Sequence, residues 1–255
     1  MSENSYALAL GSGGQKGFIH IGVLKALEEL NIEITHIAGS SVGSLIGGIY
    51  SLWKDAKRIE EEALKIDSQE VMDLLSSYVN NHSVKKNDPL LFFIENFVHD
   101  ATFEDCLIPF VTVSVDLNSG DKVFHKSGPL KHAIRGSCSV SYLFGAYEYQ
   151  NKFLVDGGYA DSVPTDAVKS IGGEKIIGVN LQSYIPETPE KRSFLNIQSA
   201  AYKTTLYNIA KEDMKLADKK LEFNIEEFTI AEILEDRHRF IDMGYTETIE
   251  LFKQN

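Results

Sequence analysis

Residues 37–46, Ile-Ala-Gly-Ser-Ser-Val-Gly-Ser-Leu-Ile, constrain the fold of this chain more than any other stretch. Apolar residues lead into a Gly-x-Ser-x-Gly pentapeptide, and a helical pattern of small residues follows it. This order predicts a strand that ends in a sharp turn, presents Ser41 and passes at once into a helix. Gly39 and Gly43 lack a β-carbon, so they permit a strained turn and a close approach of the helix to the sheet. The N–H groups at the helix start would face any group above Ser41.

The pentapeptide alone is weak evidence, because a chain of this length contains one by chance roughly one time in ten. The alternative is an ordinary turn that is rich in serine and glycine. Two further glycine clusters, at 11–17 and at Asp156-Gly157-Gly158, also follow predicted strands. Functional sites of open parallel sheets gather at the carboxyl ends of the strands. We therefore expect the three clusters to meet there if their strands are neighbours.

The composition limits what the chain can bind and where it works. Its 255 residues are 43% apolar, which suits one sizeable α/β domain or at most two small ones. The formal net charge of −12 argues against a nucleic acid partner, and no polybasic run is present to hold anionic lipid. With two cysteines, no positively charged leader and no apolar run of about 18 residues, we expect a cytoplasmic protein without a transmembrane segment.

Hydrophobic periodicity predicts the order of the elements. The first of them are a strand at 6–10, a helix at 18–30, a strand at 35–38 and a helix at 42–53. Later predictions are helices broken at 80–81 and 88–89, a helix at 130–136, strands at 110–115, 122–125, 153–155 and 176–181, a loop at 184–192, a helix at 194–221, an edge strand at 228–230 and a helix at 237–252. The apolar run 90–94 is predicted as a buried helix, the alternative being an apolar lid. We expect one domain over 1–255, with a core at about 6–183 and a helical C-terminal segment at 194–255.

The residues around Ser41 suit acyl transfer, which needs a nucleophile, a base and donors for the developing oxyanion. Ser41 is the candidate nucleophile, and the bare backbone N–H groups of Gly13 and Gly14 are the candidate donors. A tight turn without a ligand is the plain alternative. A dinucleotide site is the rival function, since Gly11-x-Gly13 resembles a phosphate-binding turn. The spacing to Gly17 does not fit that motif, and no acidic residue follows the next strand.

The identity of the base stays open from the residues alone. A hydrolase triad places its histidine after the acidic member, and only His238 lies beyond Asp156, in a charged helical stretch. His20 and His36 are expected to be structural. Asp156 ends an apolar strand, and partial burial near Ser41 would raise the pKa of its carboxyl towards the range of a base. The alternative for Asp156 is an ordinary Asp-Gly turn.

Three motifs, taken in order, resemble those of patatin-like phospholipases. Residues 8–30, which contain Gly-Gly-x-Lys-Gly, resemble the start of that family's domain. Residues 39–43 match its nucleophile motif, and 156–158 match its aspartate motif. The similarity spans roughly 6–183, and it continues weakly at 242–245.

This resemblance implies a three-layer α/β/α fold with a mostly parallel central sheet. It also implies hydrolysis of lipid acyl esters by a Ser41–Asp156 dyad without a histidine, with Gly13 and Gly14 in the oxyanion loop. Lys16 occupies the basic position of that loop, where it would hold the loop in place or favour an anionic substrate. The alternative is that Lys16 only packs against its neighbours or is solvated.

The chain departs from the family pattern at two places. Ser12 replaces the first glycine of the loop, and Ser141-Tyr142 stands where relatives have a proline. A serine tolerates a positive φ poorly, so we expect a slightly reshaped loop.

The leading hypothesis is thus a cytoplasmic serine acyl-hydrolase that needs neither a cofactor nor a metal and meets its lipid substrate in solution or at a membrane surface. The alternatives are a lipid- or acyl-binding module with a relict dyad, and a general carboxylesterase that uses His238.

Overall fold

Strands and helices alternate along the first 53 residues, as the hydrophobic spacing predicts. The computed structural model describes residues 4–80, 88–182, 194–225 and 228–253. Its strands are β1 Ser5–Leu10, β2 Glu33–Ser40, β3 Phe110–Asp116, β4 Lys122–His125, β5 Tyr147–Tyr149, β6 Lys152–Asp156, β7 Ile176–Asn180 and β8 Lys219–Glu222. Its helices are α1 Phe18–Glu29, α2 Val42–Trp53, α3 Ala56–Lys65, α4 Ser68–Asn80, α5 Pro89–Val98, α6 Leu130–Ser137, α7 Ser141–Phe144, α8 Thr165–Ser170, α9 Phe194–Asp213, α10 Ile230–Glu235 and α11 Arg237–Lys253.

All of these strands join one sheet. Five parallel strands form its centre in the order β3-β2-β1-β7-β8. Beyond β3 the sheet becomes antiparallel, because β4 and β6 both pair with β3 and β5 pairs with β6. The expected mostly parallel sheet is therefore confirmed, with an antiparallel edge.

Helices cover both faces of the sheet, which explains why β1 is buried at every position. Tyr6, Leu8 and Leu10 belong to a large core shared with α1, α2, α6 and α11. Ala7 and Ala9 face the opposite way into a smaller core shared with α8 and α9. The expected three-layer α/β/α fold is confirmed by this arrangement.

The predicted long helix at 194–221 is wrong at its C-terminal end. The helix stops at Asp213, and Lys219–Glu222 instead forms β8, which pairs in parallel with β7. Only Leu221 of that strand is buried. Charged side chains are common on edge strands because they discourage pairing with other chains, and here they hide the strand pattern.

The predicted edge strand at 228–230 is also wrong. Thr229 caps α10 by accepting the N–H of Glu232, whose carboxylate accepts the Thr229 N–H in return. This capping box starts a helix where β-branched residues suggest a strand. The predicted loop at 184–192 lies outside the described residues. The run 90–94 is helical, as expected, and α5 buries Leu90 and Ile94 in the large core.

The last helix is fixed to the first by two glycines. A β-carbon on Gly22 would overlap the carbonyl oxygen of Ile241, and one on Gly244 would overlap that of Ile19. Helices α1 and α11 therefore approach backbone to backbone at this crossing. No side chain larger than hydrogen fits at either position unless the helices move apart.

We predict that Gly244→Ala lowers the free energy of unfolding by about 3 kcal/mol, the upper end of the usual cost of overpacking. The exposed Glu247 on the same helix offers a control, and Glu247→Ala is expected to change stability by less than about 0.5 kcal/mol. Urea denaturation measures both values. Equal midpoints for the two variants would contradict the close crossing.

Candidate active site

Ser41 connects β2 to α2 in a strained conformation. Its φ of 54° and ψ of −125° lie outside the regions that residues with a β-carbon prefer, which costs about 1–3 kcal/mol. Two glycines make the turn possible. A β-carbon on Gly39 would overlap the Gly43 carbonyl, and one on Gly43 would overlap the Leu10 carbonyl. The pentapeptide thus forms the sharp strand-to-helix turn that its sequence predicts.

The structure brings Ser41 and Asp156 into direct contact. The Ser41 hydroxyl donates a hydrogen bond of 2.7 Å to Oδ2 of Asp156, across 115 positions of sequence. The other carboxylate oxygen, Oδ1, accepts the N–H of Gly158 at 2.9 Å. Gly157 packs so tightly that a β-carbon would overlap the Val113 carbonyl. Both oxygens of the fully buried Asp156 carboxylate are therefore hydrogen-bonded, one of them to the hydroxyl.

The strands that carry these two residues are not neighbours, because β3 lies between β2 and β6. β6 runs antiparallel to β3 and overlaps only its last three residues, with Asp156 opposite Ser114. Ser40, which precedes Ser41, lies opposite Val113 of the same strand. Asp156 is therefore nearly level with the end of β2 even though its own strand runs the opposite way.

Burial raises the pKa of Asp156 to about 6. Hydrogen bonds from Ser41, from the Gly158 N–H and from the Tyr202 hydroxyl oppose this shift, because they favour the ionised carboxylate. The result is a carboxylate that is ionised near neutral pH and more basic than an exposed aspartate. Tyr202 lies on α9, and no motif in the sequence points to it.

Tyr202 belongs to a group of three tyrosines beside Asp156. Its ring meets those of Tyr142 and Tyr159 edge-on, with centroids 5.5 and 4.9 Å away. The Tyr159 hydroxyl and the Ser141 hydroxyl are 2.6 Å apart and hydrogen-bonded. Ser141 and Tyr142, which depart from the family pattern, therefore help to build an aromatic wall next to Asp156.

The loop that follows β1 is held at its start by several neighbours. Gly11 donates to the Val179 carbonyl at 3.0 Å, and Ser12 donates to the Ser162 carbonyl at 2.8 Å. The buried His20 donates from Nε2 to the Gly11 carbonyl at 2.8 Å, which makes it the structural histidine that we expect. Burial lowers the pKa of His20 to about 4. Ser12 is not among the residues with positive φ, so the reshaping expected at this position is not needed.

The rest of the loop leaves backbone donors free. Among the described residues, the N–H groups of Gly13 and Gly14 have no acceptor. Gly14 has a φ of 57°, and a β-carbon on Gly13 would lie 2.7 Å from the Leu181 side chain. Lys16 donates from Nζ to the Leu181 carbonyl at 3.1 Å, so it ties the loop to the end of β7.

The three glycine clusters meet, as the sequence predicts. A β-carbon on Gly17 would overlap the side chain of Val42, which follows Ser41. A β-carbon on Gly158 would lie 3.0 Å from Oδ1 of Asp156 and 3.1 Å from the Ser12 hydroxyl. The loop, the elbow and the aspartate turn are therefore packed against one another.

The histidines do not complete a triad among the described residues. His238 is exposed at the start of α11 and has no hydrogen bond to Ser41 or Asp156 in the described ranges. His36, which we expect to be structural, is half-buried and hydrogen-bonds the Thr35 hydroxyl at 3.1 Å. Within the same ranges, no three His, Cys, Asp or Glu side chains converge as a metal site requires.

Comparison with protein families places this geometry in context. A family model described as patatin-like phospholipase matches residues 8–169, which is more than half of the chain. The chain belongs to the patatin-like phospholipase family. The matched region of this patatin-like chain contains Ser41, Asp156 and the loop after β1.

Curated relatives agree with this assignment. An uncharacterized NTE family protein of Mycobacterium tuberculosis is 33% identical over 183 residues, which are 71% of this chain and 50% of that protein. Patatin-like phospholipase domain-containing protein 6 of Homo sapiens is 30% identical over 72% of this chain and 14% of its own length. Lysophospholipase NTE1 of Debaryomyces hansenii is 32% identical over 74% and 12%. The patatin-like chain thus spans half or less of each of these relatives.

Solved structures share the fold. VipD from Legionella pneumophila superposes with a TM-score of 0.56 at 15% identity, covering 98% of this chain and 67% of that one. The type III effector protein ExoU gives a TM-score of 0.50 at 13% identity, covering 98% and 53%. In the described part of the patatin-like chain, no helix combines the length and the apolar character that crossing a bilayer requires.

A second buried carboxylate lies close to the loop of this patatin-like site. Asp161 is fully buried, and neither of its oxygens has a hydrogen-bond partner among the described residues. Burial, together with the nearby carboxylates of Asp213 and Asp166, raises the pKa of Asp161 to about 8. The Lys122 ammonium, 4.0 Å from Oδ2, opposes the shift only in part. Asp161 therefore keeps its proton in the folded state at neutral pH.

We predict that Asp161→Asn changes how stability depends on pH. From its ordinary pKa of 3.8 up to about 8, the folded state holds a proton on Asp161 that the unfolded state has released. This group therefore stabilises the fold at low pH, and its contribution is lost as pH rises through that window. Asparagine cannot ionise, so the melting temperature of Asp161→Asn relative to wild type should rise between about pH 5 and about pH 8.5.

The exposed Asp166, whose carboxylate lies near Asp161, supplies the control for this measurement. The difference between Asp166→Asn and wild type should change far less over the same range. A difference that stays constant with pH in Asp161→Asn as well would contradict a protonated Asp161.

Proposed function

We propose that this patatin-like chain is a serine acyl-hydrolase for acyl esters of lipids, with Ser41 as nucleophile and Asp156 as base. The proposal depends on the 2.7 Å hydrogen bond between the Ser41 hydroxyl and a fully buried carboxylate. The family model supports the lipid ester class, and a relative named lysophospholipase supports a membrane lipid or its lyso form as substrate. All described strands join one sheet, which supports our proposal that 1–255 is one acyl-hydrolase domain.

The first half of the reaction forms an acyl-enzyme. Ser41 Oγ attacks the ester carbonyl carbon while Asp156 takes the hydroxyl proton. The tetrahedral oxyanion accepts hydrogen bonds from the N–H groups of Gly13 and Gly14, and each such donor contributes about 2.7–4 kcal/mol to the transition state. The alcohol leaves with the proton from Asp156, and an ester of Ser41 remains. Lys16 serves this step indirectly, because its bond to the Leu181 carbonyl holds the loop.

The second half restores the enzyme. Asp156 takes a proton from water, and the resulting hydroxide equivalent attacks the acyl carbonyl carbon. The fatty acid departs, and the proton passes from Asp156 to Ser41 Oγ. Because the pKa of Asp156 is about 6, the carboxylate is available as a base at neutral pH.

We predict that a fluorophosphonate labels Ser41, located by mass spectrometry, and that Ser41→Ala loses labelling together with at least about 1,000-fold of its esterase rate. Asp156→Asn should lose at least about 100-fold, the usual contribution of a positioned base. His238→Ala is the control and should leave the rate unchanged. A loss of several hundredfold in that variant would instead favour a general esterase with a histidine.

The test also separates the enzyme from a binding module. A wild-type protein that binds phospholipid vesicles but hydrolyses no acyl ester, from short to long chains, would reject the proposed activity. Retained hydrolysis in Ser41→Ala would reject the assignment of the nucleophile.

We predict that kcat/KM rises with pH through about 6, as Asp156 loses its proton. Tyr202→Phe removes a hydrogen bond that favours the ionised carboxylate, so it should raise the pKa of Asp156 and move this acid limb to higher pH. Tyr159→Phe is the matched control, because the Tyr159 hydroxyl bonds Ser141 and not Asp156. Identical acid limbs for Tyr202→Phe and wild type would contradict a contact between Tyr202 and the base.

A further inference from the structure

Three consecutive residues at the end of α6 contact the main chain of both dyad members. The Ser137 hydroxyl oxygen accepts the N–H of Ser41 at 3.0 Å, and the Cys138 thiol donates to the Ser41 carbonyl at 3.2 Å. The N–H of Asp156 donates to the Ser139 carbonyl at 3.0 Å. We call residues 137–139 the α6 bracket. It links directly two residues whose strands are separated by β3.

The contacts of the α6 bracket with Ser41 differ in how easily they can be replaced. The Ser41 carbonyl also accepts the Ser44 hydroxyl at 2.6 Å, the Ser44 N–H at 2.8 Å and the Leu45 N–H at 3.4 Å. The Ser41 N–H, by contrast, has the Ser137 hydroxyl as its acceptor in the described part of the chain. Cys138 is thus one donor among several, whereas Ser137 makes a contact that no other described residue duplicates.

The α6 bracket is itself firmly anchored. Arg135, which is only 2% exposed, donates from Nε to both carboxylate oxygens of Asp88, at 2.8 and 3.0 Å. Its Nη1 donates to the Ser139 hydroxyl at 2.6 Å, and that hydroxyl donates to the Arg135 carbonyl at 2.8 Å. An ion pair in which one N–H of the buried Arg135 is shared between both oxygens of Asp88, together with two hydrogen bonds, therefore fixes the segment that contacts Ser41 and Asp156.

We propose that Ser137 is a positioning residue of the reaction, which holds the strained backbone of Ser41 so that its hydroxyl points to Asp156. The proposal rests on the proposed acyl-hydrolase function. It has a chemical consequence, because the Ser41 N–H is committed to Ser137 and does not serve the oxyanion. The N–H groups of Gly13 and Gly14 then act without help from the nucleophile's own amide.

The test is Ser137→Ala, compared with Ser51→Ala. Ser51 is also a buried serine, on α2, and its hydroxyl bonds the Gly47 carbonyl at 2.7 Å, away from the dyad. Active sites are titrated with a fluorophosphonate so that kcat is calculated per titrated site, and KM and the rate constant of labelling are measured on the same samples. Because only active sites are counted, unfolded protein does not affect the comparison.

We expect kcat and the labelling rate constant of Ser137→Ala to fall together by about 10-fold to 100-fold, the usual cost of a misplaced reacting group. KM should stay within about twofold, because Ser137 does not touch the substrate. Ser51→Ala should keep the wild-type values even where its melting temperature drops. A purely structural role would lower the melting temperature of both variants and leave the per-site rates intact.

A folded Ser137→Ala with per-site rates equal to those of Ser51→Ala would overturn the proposal. Should Ser137→Ala not accumulate as folded protein, Ser137→Cys keeps the size of the side chain and supplies a weaker acceptor. We expect its per-site rates to fall in the same direction, and unchanged rates would again overturn the role of Ser137. Failure of the proposed function is distinguishable from this failure, because it shows as a wild-type protein without hydrolysis or as hydrolysis retained in Ser41→Ala.

Discussion

The left-handed backbone of Ser41 is the constraint on which the rest of this site depends. A residue with a β-carbon in this conformation costs about 1–3 kcal/mol, so the surroundings must hold it there. Gly39 and Gly43 remove the collisions that a larger residue would cause, and α2 begins immediately afterwards. The Ser137 hydroxyl accepts the N–H, and several donors hold the carbonyl. These contacts hold the main chain of Ser41 so that its hydroxyl points to Asp156.

The electrostatics of the site follow from how deeply Asp156 is buried. An isolated carboxylate would not stay ionised in such surroundings. Hydrogen bonds from Ser41, Gly158 and Tyr202 compensate in part, and the pKa settles at about 6. A more polar setting would make Asp156 a weaker base, and a drier one would leave it protonated at neutral pH. Tyr202 on α9 is therefore part of what sets the basicity of Asp156.

Local patterns predict the parts of the molecule that local sequence determines. The first 53 residues, with two strands, two helices and the turn at Ser41, follow from periodicity and glycine placement. The three-layer fold follows from the family resemblance. Strand β8 escaped prediction because its pairing with β7 is decided by tertiary contacts and three of its four residues are charged. Helix α10 escaped because a capping box outweighs the β-branched residues that it begins with.

The residues of the site also divide into those that local sequence identifies and those that tertiary contacts decide. Ser41, Asp156 and the loop glycines carry motifs, so the sequence identifies them as candidates. Ser137 and Tyr202 are not among the predicted site residues, because each acts through a contact with a residue far away in the chain. The cluster of small residues that ends α6 was the available signal, since small side chains permit the close packing seen there. Nothing comparable marks a single tyrosine on α9.

The antiparallel edge of the sheet has a mechanical consequence. Ser41 follows a central strand whose neighbours on both sides are parallel, whereas Asp156 ends β6, which joins the sheet through three residue pairs with β3. Asp156 is therefore supported by a peripheral strand and by its N–H bond to the Ser139 carbonyl, whereas Ser41 is supported by the central strands. A disturbance at the edge of the sheet would displace the carboxylate before it displaces the hydroxyl.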